Sequence, residues 1–167
     1  STGITFDVLG NLKIDNAKIS IKFSCGGGFK VSGNSDITNS LYVYTGAFNA
    51  IESNDLVSLK STYYIYTIGQ YEKVDPVSDK FDNQGVYYSK DDKDFMRVNP
   101  LHYDTTKTLY TLSASTKGIF TNGVCTFTDS TFYLDTDDDS ISSSGDVNSL
   151  NSHYFIKSAN QGVVTDG

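Results

Sequence analysis

Asp135, Asp137 and Asp139 set three carboxylates on alternate residues, and Asp146 follows as a fourth. Oxygens at relative positions 1, 3, 5 and 12 are what a loop offers Ca²⁺, a hard cation that takes six to eight such ligands. Carboxylates crowded this closely need either a counter-charge or full solvation. The segment is therefore read as a cation site with Asp135, Asp137, Asp139 and Asp146 as ligands, against the plainer reading of a solvated acidic turn.

The spacing resembles the DxDxDG calcium loops of EF-hands, dockerins and thrombospondin type 3 repeats, with Ser140 in place of the turn glycine and no flanking helices. The overlapping stretch Asp138-Asp139-Ser140-Ile141-Ser142-Ser143 is similar to the D-D-x-x-S-S calcium segment of βγ-crystallins. Both resemblances imply a local site and no family for the whole chain. A second acidic group, Asp91, Asp92 and Asp94, is interleaved with Lys90 and Lys93 and reads as a solvated face. With Asp79 and Asp82 it is a second candidate cluster.

Tyr63, Tyr64, Tyr66 and Tyr71 crowd one strand-like segment with aromatic rings on both faces. One face must be core. The other could be a carbohydrate platform or a protein interface, because tyrosine joins a flat apolar body to a polar tip. Cross-strand stabilisation of an exposed sheet is the competing reading.

Signals for catalysis are absent. His102 and His153 stand alone, no G-x-S-x-G surrounds any serine, and no glycine-rich phosphate loop occurs. The chain is read as a non-enzyme. A glycosidase-type carboxylate pair would form only in the fold, so a small hydrolase is the last alternative.

The elements that position these residues are strands. Tyr, Phe, Thr, Val and Ile dominate, and Gly, Ser, Asn and Asp supply turns. Ile19, Ile21 and Phe23 alternate with Lys18, Ser20 and Lys22 in the clearest strand. Only Ala47 to Leu59 offers a short helix. The segment Ser32 to Asn39 reads as a polar turn. No hydrophobic period of the solenoid type is visible, and one faint echo pairs Phe29–Asp36 with Phe132–Asp139. The expectation is a single-domain antiparallel β-sandwich of jelly-roll type over residues 1–167, with little or no helix.

A net charge of −7 and a pI near 4.6 argue against nucleic acid and anionic lipid as partners. No apolar run is long enough to span a membrane. The start at Ser1 fits a removed leader, or an initiator Met clipped from a virion component. No Asn begins an N-x-[ST] sequon, which leans toward a bacterial, archaeal or viral product. Cys25 and Cys125 are expected to form a disulfide closing a loop of about 100 residues.

Residues 1–9 are read as an exchangeable N-terminal strand in which Ile4, Phe6 and Val8 give an apolar face for self-assembly. The function expected is a structural subunit of an extracellular or virion assembly, such as a filament, coat or surface layer, formed through β-edges. It would be a homo-oligomer, possible calcium binding aside. The alternative is an extracellular carbohydrate-binding or adhesion module with a calcium site.

Overall fold

The computed structural model describes residues 6–24, 27–74, 86–89, 95–97, 109–114 and 116–167. Short alternating segments of three to seven residues are too short for helices and become strands. What decides the architecture is how the chain turns between them. The corner residues Asn16, Asn39, Lys60, Asp129 and Asn151 all have φ between 48° and 50°. This left-handed conformation bends the chain sideways in one residue and does not fold it back into a hairpin. Each strand then meets its partner one full circuit later.

The first circuit, or rung, is β1 (Phe6–Val8), β2 (Leu12–Asp15) and β3 (Lys18–Ser24). The second is β4 (Phe29–Val31), β5 (Ser35–Thr38) and β6 (Leu41–Gly46), and the third β7 (Ile51–Ser53), β8 (Leu56–Leu59) and β9 (Thr62–Thr67). A second unit follows: β10 (Gln70–Val74), β11 (Val86–Ser89), β12 (Phe95–Arg97) and β13 (Leu109–Ala114). The fourth rung is β14 (Ile119–Thr121), β15 (Cys125–Thr128) and β16 (Thr131–Thr136). The fifth is β17 (Ile141–Ser143), β18 (Val147–Leu150) and β19 (His153–Ser158), and β20 (Val163–Thr165) opens a sixth.

Three parallel sheets result. Sheet A stacks β1-β4-β7-β14-β17-β20, sheet B stacks β2-β5-β8-β15-β18, and sheet C stacks β3-β6-β9-β16-β19. The steps are 22 residues from Ile119 to Ile141 and from Ile141 to Val163, and 23 from Leu12 to Ser35. This is a β-solenoid of about 5 turns. The antiparallel sandwich expected from the sequence is thereby corrected. Alternation of apolar and polar residues fits any sheet with one solvated face, and here the outer face of the coil is solvated. The segment Ala47 to Leu59 holds β7 and β8 and no helix, and the expected turn Ser32 to Asn39 holds β5. The echo of Phe29 with Phe132 is out of register, since Phe29 pairs with Ile51 and Phe132 with Tyr63.

Stacking identical positions builds the core. One interior column runs Ile19, Tyr42, Tyr63, Phe132, Tyr154. The Tyr63 and Phe132 rings stack with centroids 4.7 Å apart, and Phe132 and Tyr154 follow at 5.1 Å. Buried hydroxyls are satisfied: Tyr42 Oη donates to the Ala50 carbonyl at 2.8 Å, and Tyr63 Oη to Ser58 Oγ at 2.9 Å. Burial pushes both phenols well above the ordinary tyrosine range. At the corner from sheet A to sheet B a Cβ on Gly145 would lie 2.9 Å from the Gly123 carbonyl carbon, so a side chain at Gly145 would force the backbone to shift.

The chain divides into two compact units, Ser1–Ile68 with Thr116–Gly167, and Gly69–Ser115. The second is an antiparallel sheet in the order β10-β13-β11-β12, with Tyr71 opposite Leu112 and a register shift between Gln70 and Tyr71.

Candidate functional site

The acidic segment lies on the corner where sheet C turns into sheet A, and the corner separates its carboxylates. Asp135 ends up on the outer face of β16, where Lys157 Nζ donates to it at 3.1 Å. Asp137 turns toward the chain that leaves β9 and the chain that enters β14. Thr116 Oγ1 donates to its Oδ1 at 2.5 Å and Thr67 Oγ1 at 3.3 Å, while its Oδ2 is buried without a partner. Burial raises the Asp137 carboxyl to about 6, against the opposing pull of those two hydroxyls.

Asp139 is buried. It meets Lys117 Nζ at 3.1 Å on one oxygen and Asn160 Nδ2 at 2.9 Å on the other. Asp146 lies beyond β17, at the next corner. Alternate residues share a side only while the strand continues, and β16 ends at Thr136. Asp135, Asp137 and Asp139 are therefore held by different partners, and Asp146 lies at another corner. Among the described residues no group of three or more His, Cys, Asp or Glu side chains is poised around a common point. The cluster at Asp79, Asp82, Asp91, Asp92 and Asp94 lies outside the described residues, as does His102.

The tyrosines also part company. Tyr63 is wholly inside, Tyr64 and Tyr66 point outward from sheet C, and Tyr71 belongs to β10 in the second unit. Outward, Tyr64, Tyr133 and Phe155 form a ladder with centroids 4.7 Å apart and ring planes within 6°. Their faces cover one another, so the ladder offers ring edges to solvent along a shallow groove that also includes Val43 and Lys157. Cys125 is a free thiol, fully buried between Leu56 and Val147 on the neighbouring strands, and burial pushes its pKa up. Cys25 lies outside the described residues, as does Ile4.

The sequence reading did not single out the two ends of the coil. Among the described residues β18 and β19 each pair on one side only, as do β2 and β3 at the other end. Interior positions that are sealed in the middle rungs are only half-buried there: Val147, Tyr154 and Ile156 at one end, Leu12, Ile19 and Val8 at the other. Phe6 stays 48% exposed although its ring lies 5.1 Å from Phe29. A serine column climbs the same corner in every later rung. The amide of Ala17 donates to Ser40 Oγ, Ser40 to Ser61 Oγ, Ser61 to Ser130 Oγ and Ser130 to Ser152 Oγ, at 3.1 to 3.4 Å. The signal that could have found it is the pairs Asn39-Ser40, Lys60-Ser61, Asp129-Ser130 and Asn151-Ser152.

No helix among the described residues is long and apolar enough to cross a membrane. No family model, curated protein or solved structure matches this chain, so its reading rests on its own geometry.

Proposed function

We propose that this protein is a structural subunit of an extracellular or virion assembly, self-associating through the open strand edges at the ends of its coil. The observation that carries the reading is the pair of open strand edges at the ends of the described coil. A solenoid buries its core by stacking, and terminal rungs that face solvent are ordinarily covered by a polar cap. Among the described residues both terminal rungs leave one strand edge unpaired in sheets B and C, beside interior apolar side chains that are only partly buried. Such edges template the addition of another chain.

The carbohydrate-binding alternative has weaker support. Sugar rings pack on an open aromatic face, whereas Tyr133 is covered on both faces by Tyr64 and Phe155. The test is sedimentation of the 167-residue chain over a wide concentration range, with electron microscopy of the densest samples. Assemblies longer than a single coil, about 5 rungs at roughly 4.8 Å each, are expected. A chain that stays monomeric throughout would overturn the reading.

A further inference from the structure

We propose that copies join head to tail along the coil axis, and that β20 acts as a gate on the junction. This rests on the self-assembly reading above and names its geometry. Both ends present parallel edges, so a second copy can continue the sheets without reversing any strand. Continuing the registers places its β2 beside β18 and its β3 beside β19. Leu12 then falls on the column of Val147, Ile19 on that of Tyr154 and Ile21 on that of Ile156. Leu12, Ile19, Val147, Tyr154 and Ile156 are half-buried and Ile21 is already buried; the half-buried ones would gain the apolar neighbour that the middle of the coil supplies.

The third sheet does not fit so simply. Sheet A has six strands where sheets B and C have five. β20 already holds the place beside β17 that the incoming β1 would take. Val163 pairs with Ile141 and Thr165 with Ser143, and in a joined copy Phe6 and Val8 would claim those two positions. Phe6 and Val8 carry more apolar surface than Val163 and Thr165, so β1 covers Ile141 better once it arrives. β20 has the advantage of being tethered, and Thr165 Oγ1 also donates to the Gly145 carbonyl at 2.6 Å. The resident strand therefore holds the place in dilute protein and yields it as concentration rises.

The serine column gives the junction a second mark. Each rung's corner amide donates to the serine of the next rung, and in a joined copy the Ser152 amide would face Ala17, which has no side-chain oxygen. Lys22 would also stand over Lys157, so screening by salt should favour joining.

The experiment is sedimentation velocity at about 0.3 M salt on the 167-residue chain and on a chain ending at Gly162. Removing β20 should tighten association by about tenfold or more and give open-ended multimers, as heterologous contacts do. Ala17→Ser in the shortened chain should tighten it further, and Ile19→Lys should abolish it. A second variant keeps β20 and locks it: Ser142→Cys with Val164→Cys joins facing residues of β17 and β20. The oxidised form should stay monomeric and the reduced form should assemble. A shortened chain that associates no more tightly than the full one, or a locked chain that assembles as well as the reduced one, overturns the gate. Equal assembly of both chains that survives Ile19→Lys would refute this junction while leaving self-assembly standing. No association in either chain would remove both.

Discussion

Ser61 and Ser130 lie 69 positions apart in the chain, yet the Ser61 amide donates to Ser130 Oγ at 3.4 Å. Ser130 Oγ also donates to the Thr128 carbonyl at 2.9 Å and lies 2.9 Å from Ser58 Oγ. Its removal would leave a buried amide and a buried hydroxyl short of a partner. Ser130→Ala should therefore cost about 1–3 kcal/mol in urea unfolding. Ser152→Ala, at the open end where water can replace the hydroxyl, should cost well under about 1 kcal/mol. Equal losses at the two positions would show that the column does not act through burial.

The residues flanking the inserted unit keep the register of an uninterrupted coil. Ile51 pairs with Ile119, Leu56 with Cys125 and Thr62 with Thr131. The corner Gly46-Ala47-Phe48-Asn49-Ala50-Ile51 aligns with Thr67-Ile68 followed directly by Thr116-Lys117-Gly118-Ile119. Thr67 Oγ1 already lies 3.2 Å from the Thr116 carbonyl oxygen. Deleting residues 69–115 and joining Ile68 to Thr116 should give a folded coil with a single cooperative unfolding transition. Loss of the β-sheet circular dichroism signal would count against an independent coil.

Lys60 stands where the other rungs have Asn16, Asn39, Asp129 and Asn151, all with left-handed backbone. Asparagine tolerates that conformation better than lysine, because its short side chain bonds locally to the backbone. Lys60→Asn should stabilise the coil by roughly 0.5–1 kcal/mol, read as a higher melting temperature. A neutral or destabilising result would mean that Lys60 makes a compensating contact.

The same corner explains how much of the fold the sequence disclosed. Strands were legible, because Ile19, Ile21 and Phe23 alternate with polar neighbours. Their pairing was not, because alternation reports one wet face and is silent on direction. The period that distinguishes a coil is carried by few residues, chiefly the Asn, Asp or Lys before Ser40, Ser61, Ser130 and Ser152. The 47 residues from Gly69 to Ser115 break that period in its middle. The acidic segment is legible as unusual, but the corner that separates its carboxylates leaves no mark in their spacing. The end of β16 at Thr136 sends Asp135 to Lys157 and Asp139 to Lys117.

Asp137 makes the stability of the coil depend on pH. Its carboxyl, ordinarily near 3.8, titrates at about 6 in the folded chain, because burial opposes its ionisation more than Thr116 and Thr67 support it. The folded chain therefore binds this proton more tightly than the unfolded one. Stability from the protonated form is complete below about 3.8 and is lost as pH rises through about 6. The side chain is partly open to solvent, so the loss across the window is discounted to about 1–2 kcal/mol. Asp137→Asn keeps an oxygen for Thr116 and cannot ionise. Its stability should be flat across that window and exceed the wild type above it. Asp138→Asn, which removes a neighbouring negative charge, should shift the wild-type decline to lower pH. Urea unfolding at about pH 4, 6 and 7.5 reads all three, and parallel profiles for wild type and Asp137→Asn would show that this carboxyl does not couple to folding.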